Sequence, residues 1–107
     1  MQDYNTETDK ITAVATAMIN GEMSLIEGCR IISSLRHTAN SPNDDIFNVF
    51  VGVDSETDGY PLGKVREGFN PEYLRRLDDD IEQYLEGERS SIIRSCQELI
   101  ERFSKVK

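Results

Sequence analysis

Apolar residues in the first third of the chain recur every three or four positions, which is the spacing of the buried face of a helix. The first such set is Ile11, Val14, Ala15 and Met18. Thr6 or Thr8 can cap the start of this helix. Asn20-Gly21 suits its end, because both residues tolerate the left-handed backbone conformation common there. We therefore predict a first helix that ends at Asn20-Gly21.

A second helix is predicted to begin after Ser24. Ser24 and Glu27 have the spacing of a capping box, in which a hydroxyl and a carboxylate each accept a hydrogen bond from an otherwise unpaired backbone N–H group. Its inward-facing side chains are Leu25, Cys29, Ile32 and Leu35. The helix should end before Ser41-Pro42, since a residue that precedes proline avoids the helical conformation. The short link between the two helices predicts antiparallel packing.

Residues 45–53 are compatible with two structures. Ser41, Pro42 and Asp44 resemble a helix start, with a capping hydroxyl, a proline at the first helical position and an acid at the third. On a helix, one face would hold Ile46, Val49, Phe50 and Val53. The same stretch is rich in β-branched and aromatic residues, as a buried strand is. The capping pattern favours a short helix, which we expect, and the composition keeps a strand open as the alternative.

Glycine and proline interrupt the chain between residues 54 and 69. The interrupting residues are Gly59, Pro61, Gly63 and Gly68. We therefore predict a long acidic loop over 54–69, and loops of this length inside a compact domain are often functional.

Helical periodicity returns in the last third of the chain. Asn70 can cap the new helix, Pro71 suits its first position, and Phe69 is expected to pack on Leu74. Two apolar stripes follow: Leu74, Leu77, Ile81, Tyr84 and Leu85, then Ile92, Ile93, Cys96, Leu99, Ile100 and Phe103. Gly87 lies between them and either bends one long helix or separates two. The whole pattern predicts a mainly α single domain over residues 1–107, a compact bundle of four or five helices.

Composition narrows the function. The chain has 107 residues with 20 acidic and 12 basic side chains, which gives a net charge of −8. This balance argues against direct binding to nucleic acids, because that binding needs lysine and arginine to displace counterions from phosphates. No apolar run reaches the roughly 20 residues of a membrane-spanning helix, and the polar N-terminus is unlike a secretory signal. With Cys29 and Cys96 as reduced core cysteines, we expect a cytoplasmic protein.

Candidate catalytic and metal sites are few. The stretch from Asp54 to Gly59 opens like a calcium-binding loop, but Val65 stands where that loop needs its bidentate glutamate. Neither cysteine has a second cysteine or a histidine at metal-ligand spacing. We therefore predict no catalytic residue, no metal site and no cofactor.

Arg30 and His37 are seven residues apart, so both project from one face of a helix. Their spacing resembles the two-residue signature of the HEPN ribonucleases, and this resemblance implies a ribonuclease as a third functional alternative. No supporting constellation surrounds the pair in the sequence. The simpler interpretation is that Arg36 and His37 complement the negative end of a helix dipole.

The densest acidic stretch is Asp78, Asp79, Asp80, Glu82, Glu86 and Glu88. Arg75 and Arg76 are spaced to form ion pairs along the helix with Glu72 and Asp79, with Asp78 or Glu82 nearby. The stretch is therefore either a solvated, partly paired helix face or a surface that matches a basic partner.

A family resemblance is carried by stretches between residues 20 and 75. They read EMSLIEGCR from Glu22 to Arg30 and on through Leu35-Arg36, FVGVDSETD from Phe50 to Asp58, and PLG from Pro61 to Gly63. In these stretches the chain resembles a group of small uncharacterised bacterial proteins, some of which look like immunity proteins of polymorphic or contact-dependent toxin systems. The resemblance implies a bacterial cytoplasmic protein that binds and neutralises a cognate toxin, and it carries over no catalytic residue.

A small acidic domain suits a basic toxin domain of the nuclease type, since nucleases grip phosphates with cations. The expected partner-binding residues are Asp54, Glu56, Asp58, Tyr60, Asp79 and Glu82. Tyr60 is the expected anchor, because tyrosine is enriched among binding hot spots. The main alternative is a structural or regulatory protein that self-associates, with the apolar positions from Leu74 to Phe103 as the seam of a homodimer.

Overall fold

The computed structural model describes residues 5–38 and 44–104. They form four α-helices, α1 (Asn5–Ile19), α2 (Leu25–Leu35), α3 (Asn48–Glu56) and α4 (Pro71–Ser104). Three short 3₁₀ helices, Arg36–Thr38, Asp45–Phe47 and Gly63–Gly68, complete the secondary structure of these ranges, which contain no strand. The protein is mainly α, as the periodicity predicts.

The end of α1 follows the prediction. Gly21 has φ +77°, a conformation that costs little only without a Cβ atom. The N–H of Glu22 donates to the carbonyl of Ala17 (2.8 Å) and the N–H of Gly21 to that of Met18 (3.3 Å), which is the Schellman pattern. At the other end, α1 begins at Asn5, so Thr6 and Thr8 lie inside the helix and the predicted cap is wrong.

The starts of α2 and α4 also follow local sequence signals. Ser24 Oγ accepts a hydrogen bond from the N–H of Glu27 at 3.3 Å. Asn70 Oδ1 accepts bonds from two N–H groups in the first turn of α4, at 2.8 and 3.2 Å. Phe69, expected to pack on Leu74, stacks on the Tyr73 ring with centroids 6.0 Å apart.

Residues 45–53 are helical, so the expected helix is confirmed and the alternative strand is excluded. Asp44 Oδ1 accepts a hydrogen bond from the N–H of Ile46 at 3.0 Å and starts the 3₁₀ turn that leads into α3. The strand-like composition has a different cause: Phe47, Phe50 and Val53 are all buried against neighbouring helices. The predicted start at Ser41-Pro42 lies outside the described residues.

The predicted loop over 54–69 is shorter in the structure. Helix α3 continues to Glu56, and residues 63–68 form a 3₁₀ helix. Thr57 favours this extension because its hydroxyl donates to the carbonyl of Val53 at 2.7 Å inside the last turn. The irregular part is therefore residues 57–62. These residues are held in place by contacts with residues that are distant from them in the sequence.

Helix α4 is one continuous helix of 34 residues. At about 1.5 Å per residue it spans about 51 Å, and the longest dimension of the molecule is 49 Å. Gly87 does not end the helix, and a Cβ atom there would meet nothing within 4 Å. Among the described residues, no helix has both the length and the apolar character needed to cross a membrane.

The core lies where α1, α2, α3 and the C-terminal half of α4 meet. Its fully buried side chains include Ile11, Ile26, Cys29, Ile32, Phe47, Phe50, Ile92, Cys96 and Leu99. Of the first predicted stripe on α4, Leu85 is buried, and its other members are only half-buried. The N-terminal half of α4 therefore extends past the core, and the candidate site is found beside it.

Candidate functional site

Arg30, on α2, joins α2 to the end of α3. Its guanidinium donates hydrogen bonds to the carbonyl oxygens of Thr57 (2.6 Å) and Tyr60 (3.2 Å). Thr57 is the C-cap of α3, and because the C-terminal end of a helix carries partial negative charge, a cation at its carbonyl is favourable. Arg30 therefore fixes the turn of residues 57–60 against α2.

Asp54 supports this arrangement from α3. Its Oδ1 lies 3.6 Å from Nε of Arg30, and both side chains are about one-third exposed. The Arg30 Nε is buried and has no hydrogen-bond partner in the described part of the chain. The Asp54 carboxylate thus offsets the charge of a partly buried arginine, and this acid belongs to the framework.

Tyr60, Arg66 and Asp78 form a second brace, which we call the clasp. The Tyr60 hydroxyl donates to Asp78 Oδ1 at 2.5 Å, and Arg66 donates to both carboxylate oxygens at 3.1 and 2.9 Å. Arg66 also donates to the carbonyl of Pro61 at 3.2 Å, and its guanidinium lies 5.6 Å from the Tyr60 ring centroid. The clasp holds residues 60–66 on the N-terminal half of α4.

The clasp shifts the pKa values of its members. The hydrogen bonds from Tyr60 and from Arg66 lower the pKa of Asp78 below its ordinary value of 3.8. Burial and the hydrogen bond to Asp78 raise the pKa of Tyr60 above its ordinary value of 10.0. Both shifts favour the protonation states in which the hydroxyl donates and the carboxylate accepts. The clasp is therefore complete throughout the neutral pH range.

Beside the clasp lies a cleft of about 280 Å³. One wall is the end of α3 with the turn of residues 57–60, and the other is α4. Leu77 and Ile81, one helical turn apart and half-buried, supply apolar surface from α4. Two exposed carboxylates also line it, Glu56 from one wall and Asp80 from the other. The cleft thus combines an apolar lining with negative charge from both sides.

No family model, no curated protein and no solved structure matches this chain. The relationship to bacterial immunity proteins therefore stays a prediction carried by the sequence stretches. What the protein can bind has to follow from the chemistry of the cleft and of the surface around it.

Four of the predicted binding residues lie on or next to the α3 wall. Glu56 and Tyr60 line the cleft, and Asp58 is exposed in the turn between them. Asp54 instead faces Arg30. The Tyr60 hydroxyl is already bonded to Asp78, so a partner meets this residue as part of the cleft wall.

The other two predicted binding residues, Asp79 and Glu82, are exposed on α4 and do not line the cleft. Glu82 lies 4.0 Å from the guanidinium of Arg89. The pairing expected along the helix is wrong: the four ion pairs within the described ranges include neither Arg75 nor Arg76. The acidic residues of this run therefore have different roles: Asp78 belongs to the clasp, whereas Asp79 and Glu82 are exposed to solvent.

Asp80 is the cleft residue that the sequence reasoning missed. It stands three residues after Leu77 and four before Tyr84, and so falls on the apolar stripe of α4. The sequence signal for Asp80 is an acidic residue on an apolar stripe. It is hard to recognise because Asp80 is one of several neighbouring acids in the run.

Arg30 and His37 have different surroundings. Arg30 donates to two backbone carbonyls in the turn that follows α3, whereas His37 is exposed in the 3₁₀ helix that follows α2. Bonded in this way, the Arg30 guanidinium has a structural role as a brace. A ribonuclease site built on this pair would need Arg30 to leave those carbonyls.

The described ranges contain no candidate metal site, because no three histidine, cysteine, aspartate or glutamate side chains in them are grouped to hold an ion. Residues Asp54 and Glu56, which open the calcium-like motif, belong to the last turns of α3. A helix cannot wrap its own side chains around one ion as a calcium loop does. The calcium-like pattern is therefore a helix end in the folded chain.

Proposed function

We propose that this protein is a non-catalytic binding protein of the bacterial cytoplasm that neutralises a basic, nuclease-type toxin by covering its active or substrate-binding surface. The observation that supports this proposal is the division of the carboxylates. Asp54 and Asp78 neutralise arginines of the framework. Glu56 and Asp80 face the cleft, and no cation within the described chain pairs with either.

Electrostatic attraction would bring such a partner to the protein. A net charge of −8 attracts a cationic domain over distances of about a Debye length, roughly 8–10 Å at physiological salt. Complementary potentials raise the association rate and disfavour wrong partners. A nuclease must keep its phosphate-binding cations exposed, so an acidic domain that covers them blocks the substrate.

The test begins with capture of partners from a lysate of the source organism by tagged protein, at low salt and at about 0.5 M salt, where screening weakens surface ion pairs. The variant Glu56→Lys/Asp80→Lys reverses the cleft charges. Asp45→Lys/Glu98→Lys makes the same change in net charge at a different hollow, which these two residues line. Glu98 is eighteen residues beyond Asp80 on α4, about 27 Å away at about 1.5 Å per residue.

The captured protein is then identified, purified and assayed for nuclease activity with and without this chain. We expect a basic protein that the wild type and Asp45→Lys/Glu98→Lys inhibit at equimolar amounts, and that Glu56→Lys/Asp80→Lys inhibits poorly. A captured protein that is acidic, or that keeps its activity when saturated, contradicts the proposal.

Self-association is the second candidate, and an exposed aromatic pair favours it. Phe69 and Tyr73 stack at the start of α4 while 36% and 46% exposed, near Val65 in sequence, which is 59% exposed. Part of the predicted dimer seam cannot contact a second copy, because Leu85, Ile92, Cys96 and Leu99 are buried within the chain. Sedimentation equilibrium tests this candidate: a dimer that Phe69→Ser/Tyr73→Ser converts to monomer supports it, and a wild type that is monomeric at high concentration excludes it.

A further inference from the structure

The size of the cleft limits what it can hold. At about 280 Å³ it is smaller than the roughly 300–1,000 Å³ of pockets that enclose a drug-sized molecule. It is also open to solvent, and Glu56 and Asp80 at its walls are exposed. A single long side chain from another protein fits these dimensions better than a cofactor does.

The lining selects the chemistry of that side chain. Leu77 and Ile81 offer apolar surface one turn in length, which suits the methylene groups of a long aliphatic stem. Glu56 and Asp80 offer carboxylates from opposite walls to the end of the same side chain. Arginine and lysine are the residues that combine such a stem with a cationic head.

Two braces hold the cleft in shape before anything binds. Arg30 fixes the carbonyls of Thr57 and Tyr60 on one wall, and the clasp ties Tyr60 to Asp78 on the other. A site whose walls are already fixed loses little conformational entropy on binding. The two arginines of the braces are committed to these bonds, so within the described chain they leave the cleft carboxylates unneutralised.

Tyr84, one helical turn after Asp80 on α4, lies close enough to Glu56 for that carboxylate to contribute to its pKa. Burial first, and then the carboxylates of Glu88 and Glu56, raise the pKa of Tyr84 above its ordinary value of 10.0.

We propose that the cleft between residues 56–60 and α4 is a receptor for one arginine or lysine side chain of a basic protein partner, with Glu56 and Asp80 binding its cationic head and with Leu77 and Ile81 packing on its stem. This assignment deepens the proposed function and rests on it for the identity of the partner. It makes the cleft, and not the acidic face with Asp79 and Glu82, the centre of the interface.

The side chain can be tested without knowing the partner. N-acetyl-arginine amide and its neutral analogue N-acetyl-citrulline amide are titrated into ¹⁵N-labelled protein, and amide shifts are followed by NMR. We expect saturable shifts from the arginine compound at residues 56–60 and 77–81, and much weaker ones from the citrulline compound. Glu56→Gln/Asp80→Asn should weaken the affinity about tenfold, about threefold for each ion pair lost. The control Asp45→Asn/Glu98→Gln, which also removes two carboxylates, should leave it unchanged.

Several results would overturn the assignment. They are equal shifts from arginine and citrulline, shifts spread over the acidic surface and the hollow lined by Asp45 and Glu98, or equal affinity in both double variants. If only the proposed function is wrong, no inhibited toxin is captured, but the arginine compound still binds the cleft. Conversely, a captured toxin that binds Glu56→Gln/Asp80→Asn as tightly as wild type overturns the assignment and keeps the function.

Discussion

Gly28→Ala should destabilise this protein although alanine is the better helix former. A Cβ atom at Gly28 would lie 2.3 Å from Sδ, 2.4 Å from Cγ and 2.9 Å from Cε of Met18. Carbon atoms in favourable contact are about 3.5–4.0 Å apart, so the overlap exceeds about 1 Å at the first two atoms. Met18 is 2% exposed, and its Sδ lies 3.8 Å from the Cys96 sulfur. It has little room to move aside.

The magnitude follows from two opposed terms. Overpacking a core costs about 1–3 kcal/mol, and three overlapping atoms place this site in the upper part of that range. Replacing glycine by alanine inside a helix returns about 1 kcal/mol. The net loss of unfolding free energy is therefore roughly 1–2 kcal/mol.

Urea denaturation measures this difference as a shift of the midpoint at constant slope, and we expect a decrease of roughly 0.5–1 M. Gly87→Ala is the matched control, since the same substitution on α4 meets nothing within 4 Å. It should raise the unfolding free energy by up to about 1 kcal/mol. In a double-mutant cycle, Met18→Ala should remove the penalty at Gly28 and give a coupling energy of about 1 kcal/mol or more.

Stabilisation by Gly28→Ala, as expected for Gly87→Ala, would contradict a steric conflict with Met18. Additive effects of Gly28→Ala and Met18→Ala would contradict it too, because the loss of stability would then arise elsewhere. Either result would mean that α1 and α2 do not approach as closely as the Met18 contact requires.

Three further predictions follow from the braces and the core. Arg30→Leu should lower the unfolding free energy by about 1–3 kcal/mol in urea denaturation, because it removes charged hydrogen bonds to two carbonyls; an unchanged midpoint would contradict its role. Tyr60→Phe should cost stability by an amount that is constant near neutral pH. That cost should shrink as the pH falls below 3.8 and through the lowered pKa of Asp78, where the clasp carboxylate is protonated. It should also shrink as the pH rises above 10 and through the raised pKa of Tyr60, where the hydroxyl is ionised; a cost that varies between pH 5 and 9 would refute this. Burial raises the pKa of Cys29 to about 12 and that of Cys96 to about 11, so Ellman's reagent should label both thiols only at the rate of unfolding; labelling of the native protein as fast as a free thiol would disprove their burial.

The features predicted well from the sequence are those that a few neighbouring residues decide. Gly21 ends α1 and Asn70 starts α4 through bonds within five residues of themselves. The helical state of residues 45–53 is harder to predict from the sequence, because aromatic and β-branched residues suit a buried helix as well as a buried strand. The predicted cap, Ser41, lies outside the described residues, and the residue that caps the first turn in the structure is Asp44.

The features predicted poorly depend on contacts between distant residues. Arg30 reaches carbonyls 27 and 30 residues away, and Arg66 reaches Asp78 twelve residues on. Without those pairings, residues 54–69 look like one loop and Asp78–Asp80 look like one acidic face. Glu56 is a predicted binding residue, but its position opposite Asp80 follows only from the packing of α4 beside α3.

Helix α4 joins two regions of unequal local stability. Its C-terminal half is anchored by core residues such as Ile92 and Leu99, whereas its first turns are held by half-buried side chains and the clasp. These turns can open without global unfolding, so their amide hydrogens should exchange with a smaller opening free energy. A partner that binds only the closed cleft adds its binding free energy to the cost of that opening. Cleft occupancy is thus coupled to order in the first turns of α4, and hydrogen exchange there becomes a gauge of binding at Glu56 and Asp80.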